Sequence, residues 1–264
     1  MKKSLSILLG LLFIIVSIFF IKNYQFKTES TFNIKESEYE SSNDIMRDYE
    51  DIIIRKGNDE DKVVALTFDD GPDDVFTPQI LDILKKYDVK ATFFLVGENV
   101  SSNSDIVKRE FEEGHEIGNH TFTHINVAKK NYDEIYNEII KTQETIKEIT
   151  GVEPKLFRPP YRAISRNMCD IIKNKGMNIV LWSNLDPRDW SNPGVYYIVN
   201  TIETKVKNGN IILLHDYNNL RNSRSQTIQA LESVIPFLKE KGYKFVTVSE
   251  LIEHIDKKEH ETQN

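Results

Sequence analysis

The chain has 264 residues, room for one large domain or two small ones, and 39% of them are hydrophobic, enough to bury a sizeable core. Its 41 acidic against 34 basic residues leave a formal charge of −7, which argues against a protein built to bind nucleic-acid phosphates. A single cysteine, Cys169, excludes an intramolecular disulfide, and its setting in NMCDIIKNKG reads as a small packed residue on a helix.

Lys2 and Lys3 precede the uncharged run LSILLGLLFIIVSIFFI, Leu5 to Ile21, and Lys22 follows at once. No small-residue cleavage site follows the run. Residues 1–22 therefore read as an uncleaved signal-anchor, at the short end for a bilayer span, with a signal peptide cut at an atypical site as the alternative. Basic residues ahead of the span favour an N-inside orientation, which places the remainder outside the cytoplasm as a single-pass membrane protein. Residues 23–56 are polar and acidic and read as a mostly disordered linker. A domain follows over residues 57–257, and residues 258–264 form a charged tail.

From there, apolar strands and amphipathic helices alternate in about seven β/α units, the pattern of a parallel α/β sheet or barrel. Val63 to Phe68 form a strand that Gly71-Pro72 breaks, so Asp69 and Asp70 fall where the strand stops. A helix opened by Thr77 and Pro78 leads to the strand Ala91 to Val96, and SDIVKREFEEG is a helix ending at Gly114. HEIGNH is a short strand delivering His120. A long helix with Ile135, Ile139, Ile146 and Ile149 on one face closes at Gly151. KLFRPPY, a helix through Cys169, NIVLWS, a helix near Val195 to Val206, NIILLHD, a helix from Gln226 and YKFVTV complete the series.

A polar cluster sits just after most of these strands. Strand ends of one polarity face one side of a barrel, so residues distant in sequence converge there. His120 and His124 are four apart and reach one metal if the segment is helical or tightly turned. Asp70 adds an oxygen ligand, and two histidines with one carboxylate and an open position suit water activation. His115 has no partner at such spacing and reads as structural.

TFDDG, HTFTH, RPPY, DPRDW and ILLHD, in that order, resemble the five motifs of the polysaccharide deacetylases, the NodB-homology family or carbohydrate esterase family four. The resemblance covers about Lys62 to Ile255. It implies a distorted (β/α)7 barrel, a divalent metal, usually Zn2+ with Co2+, Mn2+ or Ni2+ as alternatives, and removal of acetyl groups from sugars. Residue by residue, it implies Asp69 as general base, Asp70, His120 and His124 as metal ligands, and His215 as the acid that protonates the leaving amine. It further implies Arg158 as a bidentate partner of the base, Asp186 as the carboxylate tuning His215, and the backbone N–H of Tyr161 as an oxyanion donor.

Trp190 and Leu213 resemble the walls around the acetyl methyl, although core packing explains Trp190 equally well. Pro160 and Arg162 join the implied substrate-binding set. Arg162 departs from the family pattern, which often has a small residue there; a long cation at that edge has a sugar, a lactyl carboxylate or nothing to contact. The implied substrate is an N-acetylated glycan. An anchored enzyme favours peptidoglycan, at N-acetylglucosamine or N-acetylmuramic acid; chitin-like oligomers, an exopolysaccharide or acetylated xylan form a second reading, and a silent glycan-binding protein a third. No protein partner is expected.

Overall fold

The computed structural model describes residues 41–183, 185–217 and 225–254. The expected anchor, the linker up to residue 40 and the charged tail lie outside them. Among the described residues no helix is long and apolar enough to cross a membrane.

The backbone of the domain is an eight-stranded parallel sheet. The strands are β1 (Ile53–Ile54), β2 (Val63–Asp69), β3 (Thr92–Leu95), β4 (Glu116–Asn119), β5 (Leu156–Phe157), β6 (Asn178–Val180), β7 (Asn210–His215) and β8 (Lys244–Phe245). Their spatial order is β1-β6-β5-β4-β3-β2-β7, with β8 pairing the start of β2. β2 is central, registered with β7 from Val64↔Asn210 to Asp69↔His215 and with β3 from Thr67↔Thr92 to Asp69↔Phe94. The two ends of the sheet meet through the chain after β6 rather than through a ladder. Leu181 N–H donates to Ile54 O on one side and Ser183 N–H to Ile211 O on the other.

β2 is buried along its whole length, and its period of two sorts its side chains onto two faces. Val64, Leu66 and Phe68 pack outward in a cluster with Ile80, Leu81 and Leu84 of α1 (Phe76–Lys86), Ile198 and Ile202 of α2 (Val195–Lys205), and Val234 and Leu238 of α3 (Ser225–Glu240). Val63 and Ala65 face a second, interior cluster with Phe94, Leu156, Val180 and Ile211. Thr67 and Asp69 continue that interior row, which is how the strand's own pleat carries a carboxylate into the middle of the fold.

The domain begins earlier than Gly57. Tyr49 is buried, its hydroxyl hydrogen-bonds Asp170 at 2.5 Å, Arg166 pairs with Asp48 at 2.7 Å and Lys173 with Asp51 at 2.8 Å. β1 then adds an edge strand to β6. The polar composition of this stretch reads as linker because few of its described residues, namely Ile45, Tyr49 and Ile53, are buried hydrophobics.

Candidate active site

At the C-terminal end of β2 the two aspartates part company. Asp69 is still in the strand and points inward, where its Oδ1 accepts a 2.6 Å hydrogen bond from Arg158 Nη1. Asp70 takes a left-handed backbone (φ 78°), a conformation aspartate tolerates better than most residues, and turns its carboxylate toward the histidines. Next to it, a Cβ on Gly71 would lie 2.1 Å from Asp216 Oδ2, so only glycine fits against that buried side chain. Asn99 Nδ2 donates to Asp70 O and Val96 N–H to Gly71 O, pinning the loop.

Arg158 is fully buried, at the end of β5. Its Nη1 also donates to Thr67 Oγ1 at 2.8 Å, its Nε to Val180 O at 3.2 Å, and its guanidinium lies 4.0 Å from the Phe94 ring centroid. The expected bidentate contact is not formed: a single nitrogen meets Asp69 Oδ1, because Thr67 shares that nitrogen and holds it there. Asp69 Oδ2 is left facing His120, 3.9 Å from its Nε2.

His120 and His124 lie on a tight turn rather than a helix, with Thr121 and His124 both left-handed. Glu138 accepts from the backbone N–H groups of Phe122 and Thr123 and from Thr123 Oγ1, fixing that turn. His120 Nδ1–H donates to Arg158 O at 2.7 Å, which leaves Nε2 as the lone-pair nitrogen, 3.5 Å from Asp70 Oδ1. His124 Nδ1 pairs with the Tyr161 hydroxyl at 3.0 Å, and its Nε2 is 3.2 Å from the same Asp70 oxygen.

One ligand atom from each of Asp70, His120 and His124 lies within 4.8 Å of the others. Two imidazoles oriented through their other nitrogens and one carboxylate make a donor set suited to a divalent cation with open positions. Burial raises the Asp70 carboxyl, but the adjoining His120 and His124 imidazoles and the charge of His215 hold it well below the ordinary range, so it stays ionised.

Across the pocket, His215 ends β7. Its Nδ1 meets Asp189 Oδ1 at 2.8 Å and its backbone N–H donates to Asp189 Oδ2 at 3.0 Å, while Thr227 Oγ1 donates to that same oxygen at 2.8 Å. The carboxylate on His215 is therefore Asp189 and not Asp186, which instead accepts from Arg188 N–H and lines the pocket wall. The left-handed Arg188 (φ 55°) reverses the chain between them and delivers the second aspartate of DPRDW inward. Burial draws the His215 imidazole down, but Asp189, then Asp70 and Asp69, raise it to about 9.

Asp69, Asp70, His120, His124 and His215 open onto one cavity of about 480 Å³. Tyr161, left-handed at φ 59° and 66% exposed, forms one rim. Trp190 is 51% exposed and faces the cavity, so it is not a core residue, and Leu213 forms the floor. Both prolines are buried, and of the two it is Pro159 that lines the cavity. Arg162 turns away, its Nη1 donating to Trp182 O at 3.3 Å and its guanidinium over the Trp182 ring. Thr67, Glu138, Trp182 and Asp189 are site residues that motif reading passed over; Thr67 lies in TFDDG and Asp189 in DPRDW, where it is the chemically equivalent alternative to Asp186. His115 is buried and accepts from Ala91 N–H, a structural histidine whose burial pushes it down to about 4.

The polysaccharide deacetylase family profile matches residues 56–180. A peptidoglycan-N-acetylglucosamine deacetylase of Bacillus cereus is 46% identical over 195 residues, covering 74% of this chain and 90% of the relative. The chain is a member of the polysaccharide deacetylase family. As such it is a hydrolytic deacetylase that works with a divalent metal. A second relative, the peptidoglycan-N-acetylmuramic acid deacetylase PdaC of Bacillus subtilis, is 38% identical over 192 residues, which are 73% of this deacetylase and 39% of PdaC. In fold it resembles the crystal structure of the Bc1960 peptidoglycan N-acetylglucosamine deacetylase, with a TM-score of 0.73 and 44% identity over 76% of this chain and 92% of that one.

Proposed function

We propose that this deacetylase hydrolyses the N-acetyl groups of peptidoglycan, at N-acetylglucosamine, outside the cytoplasmic membrane. The observation that carries the reading is the pairing of a complete acid, base and ligand constellation with a 46% identical relative of that activity. The charge pattern of Lys2, Lys3 and Leu5 to Ile21 supports an anchored, extracytoplasmic placement. Zinc is the proposed ion, since two imidazoles and one carboxylate are a donor set it favours.

A divalent cation held by Asp70, His120 and His124 supplies Lewis acidity and acidifies water at neutral pH. Asp69 takes the proton of the attacking water on Oδ2, the oxygen that Arg158 leaves uncovered. Arg158 holds Asp69 Oδ1 and so fixes the carboxylate in rotation. The Tyr161 backbone N–H is assigned to the oxyanion that develops on the acetamide carbonyl. His215 enters protonated, through its pairing with Asp189, and gives its Nε2 proton to the departing amine, which is otherwise a poor leaving group. Trp190 and Leu213 provide apolar contact for the acetyl methyl.

Mass spectrometry of muramidase fragments from fully acetylated peptidoglycan treated with the protein tests the reading. Acetyl loss confined to the glucosamine fragment ions is the expected result. Loss from the muramic acid ions would transfer the activity to the other sugar, and loss only from chitooligosaccharides would remove peptidoglycan as substrate.

A further inference from the structure

Beside the catalytic cavity lies a larger cleft of about 1260 Å³ whose charge is opposite to that of the whole chain. Arg55, Lys56, Arg162, Lys205 and Lys207 line it against a single carboxylate, Asp59. Lys56 pairs with Asp59 at 2.5 Å. Among the described residues no carboxylate lies within ion-pairing distance of Arg55, Arg162, Lys205 or Lys207. Four cations thus share a concave wall without internal compensation, in a protein of net charge −7. Arg55 and Arg162 stand close enough that the charge of Arg55, added to burial, disfavours the charged form of Arg162. Like charges kept in this way in a concavity favour an anion there.

The cleft follows the seam where the sheet closes without a ladder: Arg55 comes just after β1, Lys207 just before β7, and Trp182 and Ser183 belong to the bridging segment. Trp182 lines both this cleft and the catalytic cavity, and Arg162 follows Tyr161 directly, so the two concavities adjoin along Trp182.

We propose that the cleft binds the free carboxylates of the peptide branches of the substrate glycan, and so selects a peptide-bearing strand over a neutral polymer of the same sugar. The proposal rests on the peptidoglycan reading and deepens it. Arginine forks match carboxylates in geometry, and the exposed lysines add a longer-range attraction that acts through KM and fades with salt.

The test compares steady-state kinetics on a neutral N-acetylated chitooligosaccharide and on a peptidoglycan oligosaccharide that keeps its peptides, for the wild type and for the double variant Arg55→Gln/Lys205→Gln. Both side chains are exposed, so the fold tolerates the change. On the peptide-bearing substrate the variant's KM is expected to rise about fivefold to tenfold. On the neutral substrate both constants stay put. For the wild type, raising salt is expected to increase KM only for the peptide-bearing substrate, a readout that needs no mutation. An unchanged KM in the variant, with wild-type turnover of peptidoglycan intact and insensitive to salt, overturns the cleft's role alone. Wild-type turnover of the chitooligosaccharide but not of peptidoglycan overturns the substrate reading and the cleft's role together. Inhibition of chitooligosaccharide turnover by a poly(glycerol phosphate), without any preference for peptide-bearing glycan, would assign the cleft to phosphodiester polymers instead.

Discussion

Replacing Asp189 by asparagine separates the two aspartates of DPRDW by their effect on the acid. In the wild type, burial alone would make His215 a weaker base than free imidazole, yet Asp189, Asp70 and Asp69 lift it to about 9. A cation at Asp70 cancels that residue's share, which leaves Asp189, at 2.8 Å, as the main support of the imidazolium. An amide at position 189 cannot satisfy His215 Nδ1–H, His215 N–H and Thr227 Oγ1–H together, because one of its two positions is now a donor. With the charge gone and burial remaining, the pKa of His215 falls by about 1–3 units, the usual effect of an adjacent opposite charge. The acid acts only when protonated, and a lower pKa means that protonation is lost at lower pH. The alkaline limb of the pH profile of kcat/KM therefore moves down by about 2 pH units, and kcat/KM near pH 8 drops about tenfold, as the protonated fraction of His215 falls from about nine-tenths to about one-tenth. Acetate release from a chitooligosaccharide between pH 5 and 10 measures both, and Asp186→Asn is expected to leave the alkaline limb in place. An unmoved limb in Asp189→Asn, or a moved one in Asp186→Asn, refutes the assignment.

Arg158→Met leaves the buried Asp69 charge unpaired, at a cost of about 3–5 kcal/mol, and lowers Tm by about 10 °C in thermal denaturation. A chain begun at Gly57 lacks the buried Tyr49 and the Ile53–Ile54 strand; it is expected to lose about 3 kcal/mol or more relative to one begun at Met46, read in urea unfolding. Glu110 is fully buried, neither of its carboxyl oxygens has a hydrogen-bond partner among the described residues, and burial followed by the charge of Asp216 raises its pKa well above the ordinary range. A carboxyl raised on folding binds more protons in the folded than in the unfolded state, so its contribution to stability falls as pH rises from about 4.5. Glu110→Gln removes that dependence, and its stability relative to wild type is expected to improve as pH rises above about 5; a constant difference from about pH 5 to pH 8 would show that folding does not raise the Glu110 carboxyl.

The strand Val63 to Phe68 was readable as a short apolar run ended by Gly71-Pro72, but because both of its faces are buried the sequence shows no alternation, and the inward aim of Asp69 comes from the pleat. The ligand triad was readable as residue types near strand ends, but its geometry was not. It depends on left-handed turns at Asp70, Thr121 and His124, which no local pattern of apolar residues announces. Asp186 and Asp189 are chemically identical in sequence and differ only through the backbone reversal at Arg188. Thr67 reads as an ordinary strand residue and Glu138 as a solvated position on a helix. Their roles come from partners 91 and 15 or 16 positions away, a separation that periodicity does not register. The start of the domain was hidden for a similar reason, since Tyr49 finds Asp170 across 121 residues of chain.

The most direct test of the central claim measures acetate release and metal content on the same samples. Wild type and Asp69→Asn are stripped with a chelator, reloaded with zinc, assayed on peptidoglycan oligosaccharides and analysed for bound metal. The wild type is expected to fall silent on stripping and recover on reloading, while Asp69→Asn takes up metal through Asp70, His120 and His124 yet releases acetate about 10²-fold more slowly or less. Undiminished release from the stripped wild type, or full release from metal-loaded Asp69→Asn, would contradict the account.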